Sequence, residues 1–295
     1  MDNMENDKVR EYKKRSKFRS IWRRLMKNRT SVLGLIIFCI LILAAIFADV
    51  IADYNTYVIA QDASQRLEAP SGSHWFGTDQ YGRDVFARVI HGTRASLTIG
   101  LATVALGMII GIVIGALVGF FGGWLDNIIM RILDVIMSIP PILLALVLVA
   151  VMGAGMMNLM LALSIAIFPS FTRVTRSAVM PIADQDFIEA ARACGTSNFR
   201  IIFRHVIPNA VGPIIVQGTM AVSKMIIVAA GLSYLGMGIQ PPTPEWGSML
   251  SSAREHMTTS PYLVIIPGLT IVLAALSINL FGDGLRDALD PRLKS

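Results

Sequence analysis

Few side chains in this sequence are equipped for chemistry, and those few are spaced for contact rather than for catalysis. The four histidines, His74, His91, His205 and His256, have no spacing that would hold a metal. No H-E-x-x-H or G-x-S-x-G pattern occurs. Glycine is never followed by lysine, so the G-x-x-x-x-G-K-[ST] loop that cradles a nucleotide phosphate is missing. Two polar features remain. Lys224 is an ionisable residue well inside an apolar stretch, where such residues are functional candidates by default. The segment "DFIEAARACGTSNFRIIFRHVIPNA", residues 186–210, is a tightly patterned polar interruption between two apolar blocks.

The second feature reads as a helix, a turn and a second helix. Asp186 followed by Glu189 matches a capping box, which starts a short helix near Phe187. Gly195 ends it in a left-handed position, and Thr196 or Ser197 caps the next helix. There Phe199, Ile202, Phe203 and Val206 form one apolar face, with Arg200 and Arg204 on another. Pro208 separates this helix from the next apolar stretch, in which it can serve as a first-turn proline. The small residues Ala190 and Ala191 permit close approach of a partner. The residues thus describe either a knob that docks into another protein or a helix pair lying on a membrane surface.

The elements around these features must be membrane spans. A mean hydropathy of +0.61 and 16% charged residues do not suit a soluble chain. A span needs roughly 20 mostly apolar residues. Candidates are 32–51, 95–121, 135–152, 156–171, 207–235 and 262–281, six in all, with Pro140, Pro141 and Pro169 interrupting the third and fourth. The expected fold is an all-α polytopic membrane protein: an N-terminal anchor helix followed by a five-helix core. The expected divisions are a basic tail 1–31, the first helix 32–51, an external segment 52–94, a core 95–282 containing the helix pair 186–207, and a tail 283–295. The first span is read as retained, because its apolar run exceeds a signal-peptide core and no A-x-A site closes it.

With both termini inside, the cytoplasmic pieces hold 20 of the 26 Lys and Arg, which sets the orientation by the positive-inside rule. The net charge of +6 therefore reflects topology and anionic lipid headgroups, not nucleic acid. Between the first two spans, Asp79 is expected to cap an interfacial helix whose Arg83, Asp84 and Arg88 stay polar. Gly107, Gly111, Gly115 and Gly119 strip one helix face of side chains and mark a packing seam. Cys39 and Cys194 imply no disulfide and read as packing residues. Asp134 is placed for an i, i+3 pair with Arg131. "DGLRDALDP" is consistent with one short capped helix between Asp283 and Pro291.

"EAARACGTSNFRIIFRHVIP" resembles the EAA loop of permease subunits of ABC importers, with Glu189, Ala190, Ala191, Gly195 and Pro208 on the pattern. His205 stands where that pattern has Ile, and Ile207 where it has Leu. "FGTDQYGRDVFARVIHGTRASL", "GLSYLGMGIQPPTPEWGSML" and "FGDGLRDALDPRLKS" resemble the oligopeptide, dipeptide and nickel branch, specifically the second permease of its pair. An acidic residue that often precedes the "LS-aromatic-LG" block in that branch is here Ala229. The resemblance implies a permease paired with a homologous second subunit, two cytoplasmic ATPases holding ATP and Mg, and an extracytoplasmic solute-binding protein. It implies that the knob is a coupling helix, that the chain itself holds no cofactor and no catalytic site, and that the cargo is a peptide, with nickel as the alternative. The segment 238–257 would face the binding protein; its prolines and Trp246 equally suit a rigid turn with an interfacial aromatic anchor. Outside the family, Lys224 would suit an ion-coupled secondary transporter, and a scaffold without a solute path is the third reading. Lys224 either lines a pathway, meets a partner's carbonyl, or packs and snorkels between helices.

Overall fold

The computed structural model describes residues 22–289; most of the basic tail and the end of the C-terminal tail lie outside them. Helix α1 (Arg29–Ile46) is capped by Asn28, whose Oδ1 accepts from the Thr30 amide at 3.1 Å. It leans on the last helix, α9 (Tyr262–Leu289), through small residues. A Cβ at Gly34 would stand 2.5 Å from the Ser277 carbonyl oxygen, so glycine permits this approach. The opposite face, with Ile36, Ile40 and Leu43, is exposed.

Helix α2 (Val85–Phe121) is 37 residues long. At 1.5 Å per residue it reaches about 55 Å, well beyond a hydrocarbon core of about 30 Å. The expected interfacial helix is simply its first turns, and its cap is Asp84, which accepts from the Ala87 amide at 2.8 Å, rather than Asp79. The glycine seam packs on α5 (Met156–Ala183), the most extensive helix pair among the described residues. Cβ atoms at Gly107, Gly111 and Gly115 would fall 2.7, 2.4 and 2.5 Å from Ile167, Phe171 and Thr172.

The third expected span is broken. Helices α3 (Gly123–Met137) and α4 (Pro141–Met152) meet at an angle of 84° across residues 138–140. Pro140 holds Ile139 out of helical geometry, and Pro141 opens α4 as a first-turn proline. The fourth span runs on past its expected end at residue 171 with Pro169 and Pro181 inside the helix. A proline there forfeits one backbone bond, whereas stopping would strand several in lipid. The described residues contain five helices long and apolar enough to cross a membrane, or six if the bent pair counts as one span. The last helix also continues unbroken through Asp283 to Leu289, so no separate C-terminal helix forms among the described residues.

The end of the bundle that carries the start of α2 is closed by folded connections. Arg88 is buried and donates to the carbonyls of Val58 (2.9 Å) and Pro242 (3.4 Å), joining the two long loops. Asp79 and Arg83 are buried with it, the carboxylate lying 2.7 Å from Arg83 Nε and 3.5 Å from Arg88 Nε. This cluster replaces the expected exposed polar face, because the loops fold over it and pair its charges. Tyr262 reaches across to donate toward the carbonyls of Glu68 and Thr78, each at 2.9 Å.

Candidate coupling elbow and cavity

At the other end of the bundle, α6 (Asp186–Ala193) and α7 (Asn198–Tyr234) form an elbow. The expected capping box is not formed: Gln185 takes the cap position, and Asp186 and Glu189 fall inside the first turn. There their charges favour the positive end of the helix dipole instead. Gly195 ends α6 as expected, with φ +75°. Its amide donates to Arg192 O at 2.9 Å and the Thr196 amide to Ala191 O at 3.1 Å. This pair of bonds is a Schellman closure, which satisfies the last carbonyls of α6 and fixes the angle to the next helix.

The elbow is seated by Ile188, which is fully buried with Phe120 of α2, Val179 and Ala183 of α5, and Ile201, Ile202 and Val206 of α7. The Arg192 guanidinium lies over the Phe120 ring at 4.8 Å. Outward, Glu189, Ala190, Gly195 and Pro208 are exposed and Ala191 is half-buried. The apolar face expected from Phe199, Ile202, Phe203 and Val206 is divided. Ile202 and Val206 face the core, while Phe199 and Phe203 are 66% and 55% exposed. The cause is a wide turn over Ile202–Val206, which rotates the later residues of α7 off the ordinary helical period.

That wide turn also carries the chain past Pro208. The Ile207 amide bonds to Ile202 O, and Asn209 Nδ2 donates to His205 O at 2.6 Å. Pro208 stands in the first turn of the α-helical part of α7, residues 207–234, as the sequence suggested, but the chain is already helical ahead of it, so no gap separates the elbow from the span, and Pro213 lies inside the helix as well. Cys39 and Cys194, expected to be packed, are both exposed thiols. Asp134 pairs with Arg173 rather than Arg131, and Asp126 accepts from Arg176 Nε at 2.6 Å. These pairs tie α3 to α5.

Farther along α7 lies a cavity of about 540 Å³, walled by α5, α7, Asn279 of α9 and the α3–α4 corner. Lys224 is exposed on its wall, and Gln217, seven residues earlier, lines it too. Gln217 donates to Ser170 Oγ at 3.3 Å, and Ser223 Oγ donates to Asn279 Oδ1 at 2.6 Å. No acidic residue among those described lines this cavity.

Sequence reasoning missed Glu245. It caps α8 (Trp246–Ala253), accepting from the amides of Gly247 (2.9 Å) and Ser248 (2.8 Å), and Ser96 of α2 donates to it at 3.2 Å. Burial pushes its carboxyl above the ordinary range, against the opposing pull of these donors. Trp246 is fully buried and donates to Val89 O at 3.1 Å, so it locks the loop to α2 and is no interfacial anchor. The sequence signal available was the Glu-Trp-Gly-Ser run after a proline, a helix start with an acidic cap.

Residues 111–295 match the family described as the inner membrane component of binding-protein-dependent transport systems. This is well over half of the chain. The chain belongs to that family. Residues 16–70 further match the N-terminal transmembrane domain of oligopeptide transport permease C. Among relatives of this permease, the dipeptide transport system permease protein of Alkalihalophilus pseudofirmus is 44% identical over 95% of this chain and 91% of its own length. The glutathione transport system permease protein of Pectobacterium atrosepticum is 43% identical over 97% and 95%. The di/tripeptide transport system permease protein of Pseudomonas aeruginosa is 41% identical over 95% and 94%. The inward-facing MetNI methionine ABC transporter shares the fold, with a TM-score of 0.56 at 18% identity over 69% of this chain and 96% of that one. The permease is thus an integral membrane protein of the ABC-importer fold.

Proposed function

We propose that this chain is one of two permease subunits of an ATP-driven importer for short peptides in the cytoplasmic membrane. Both termini and the elbow face the cytoplasm, consistent with the distribution of Lys and Arg. A homologous second permease completes the pathway, two ATPase subunits with ATP and Mg sit against the elbow, and an extracytoplasmic binding protein delivers cargo to the folded loops around Arg88 and Glu245. Glu189, Ala190, Ala191, Gly195 and Pro208 form the coupling surface, with exposed Phe199 and Phe203 beside it. Peptide is the cargo favoured by the relatives' names, and a lysine-lined cavity without carboxylates is a poor host for a nickel ion.

The observation that carries the reading is the seating of the elbow. Ile188 anchors it to α2 and α5, and α7 continues from it as one helix to Lys224 and beyond. Twenty-six residues separate Asn198 from Lys224, a lever of about 39 Å. A gap in the helix at Pro208 would let the elbow move alone; a helix that continues through Pro208 and Pro213 instead carries closure of the ATPases to the cavity wall. The test is uptake in proteoliposomes holding all partners and the binding protein. Uptake that vanadate blocks and a protonophore spares is expected; the reverse pattern identifies an ion-coupled transporter, and no uptake leaves a scaffold.

A further inference from the structure

Among the described residues, the cavity beside α7 carries a single cationic side chain and no anion to match it. Lys224 makes no ion pair with any described residue, and no described acid lines the space it borders. A cationic side chain among apolar helices is costly unless something meets its charge. Asn279, beside it, presents a further donor. Ser223 occupies Asn279 Oδ1, while no described residue accepts from Asn279 Nδ2. Gln217 is held through its amide nitrogen by Ser170 on α5. Pro141, the first residue of α4, lines the same space, so the positive end of that helix dipole adds to the field.

The helix is broken between Met137 and Pro141, with Pro140 in extended geometry, where the α3–α4 corner borders this cavity. Irregular backbone at membrane depth is tolerated where it lines a cavity rather than lipid. Lys224 and Gln217 lie two helical turns apart on one face, about 10.5 Å along the axis. An extended tripeptide is about 10 Å long. The volume suits a small ligand of a few residues.

We propose that Lys224 and Asn279 form a subsite for the C-terminal carboxylate of the transported peptide, with Gln217 spaced to meet its backbone. The proposal rests on the peptide-importer reading and names the group that reading leaves open.

The first test uses the assembled complex in detergent, with Cys39 and Cys194 replaced by serine and Ile227→Cys as a reporter in the same cavity. A pool of di- to tetrapeptides without acidic side chains, at millimolar concentration, is expected to slow alkylation of that cysteine. The same pool with amidated C-termini is expected not to slow it, and Lys224→Met is expected to abolish the protection while Lys224→Arg keeps it. The second test is uptake of the unblocked pool in proteoliposomes, expected to fall about tenfold in Lys224→Met. Equal protection by both pools, protection that survives Lys224→Met, or unchanged uptake in that variant overturns the subsite. A wild-type complex that takes up no peptide of the pool overturns the peptide reading and the subsite with it. Uptake by the wild type together with a failed protection test overturns the subsite alone.

Discussion

The seat of the elbow gives the sharpest mechanical prediction. Ile188→Ala removes three methyl or methylene groups from a side chain with no exposure, in contact with a core drawn from α2, α5 and α7. At about 0.8 kcal/mol per buried group the transfer term alone is about 2.4 kcal/mol, and the residual cavity brings the total to about 3 kcal/mol. The local opening equilibrium of residues 186–197 should therefore rise by about two orders of magnitude. Hydrogen exchange read by mass spectrometry on the assembled complex should show faster exchange in that segment and little change in the α2–α5 seam. In proteoliposomes, uptake should fall at least tenfold while ATP hydrolysis persists, because the motor still turns but no longer moves α7. Unchanged exchange at 186–197, or a variant that hydrolyses ATP and takes up cargo at the wild-type ratio, refutes the claim that Ile188 transmits the force.

Three further outcomes rest on particular contacts. Gly195→Ala, at φ +75° in open space, should cost about 1 kcal/mol by backbone strain alone, and Gly195→Pro about 3 kcal/mol or more with loss of uptake, both measurable by exchange in the elbow. Gly111→Ala places a Cβ 2.4 Å from Phe171 and should lower thermal stability by about 1–3 kcal/mol. Gly268→Ala, in open space within α9, should raise it slightly in the same melt. The Glu245 carboxyl has a folded pKa above its ordinary 4.5, so its contribution to stability is present below that value and is lost as pH rises through the folded pKa. The melting temperature of the purified chain should carry this downward slope with rising pH, and Glu245→Gln should flatten it while weakening the α8 cap by about 1 kcal/mol.

Local pattern was legible in the sequence. Four glycines at a spacing of four allow only a close helix contact, and the α2–α5 seam is its result. Gly195 in a turn between two short amphipathic stretches announced the elbow because the left-handed conformation has few other occupants. Features set by a backbone adjustment or by distant partners were not legible. The wide turn before Pro208 adds a residue that no residue type announces; it keeps the chain helical up to Pro208 and sets Val206 off the line of the exposed Phe199 and Phe203. Asp79, Arg83, Arg88 and Glu245 sit in or beside connections, where charged residues ordinarily meet water. Their burial is decided by loops some 150 residues apart closing over them, as the bond from Arg88 to Pro242 records. Asp134 chose Arg173 over Arg131 for the same reason: α5 was expected to end at residue 171, short of that arginine.

The central claim is that force enters through the elbow from partners on the cytoplasmic side, and the exposed thiol of Cys194 reports on it directly. With Cys39 replaced by serine, labelling by a membrane-impermeant maleimide should be seen in inside-out vesicles and not in intact cells. It should be suppressed when the ATPase subunits are bound. Labelling of Cys194 from outside intact cells, or equal labelling with and without those subunits, would contradict the account.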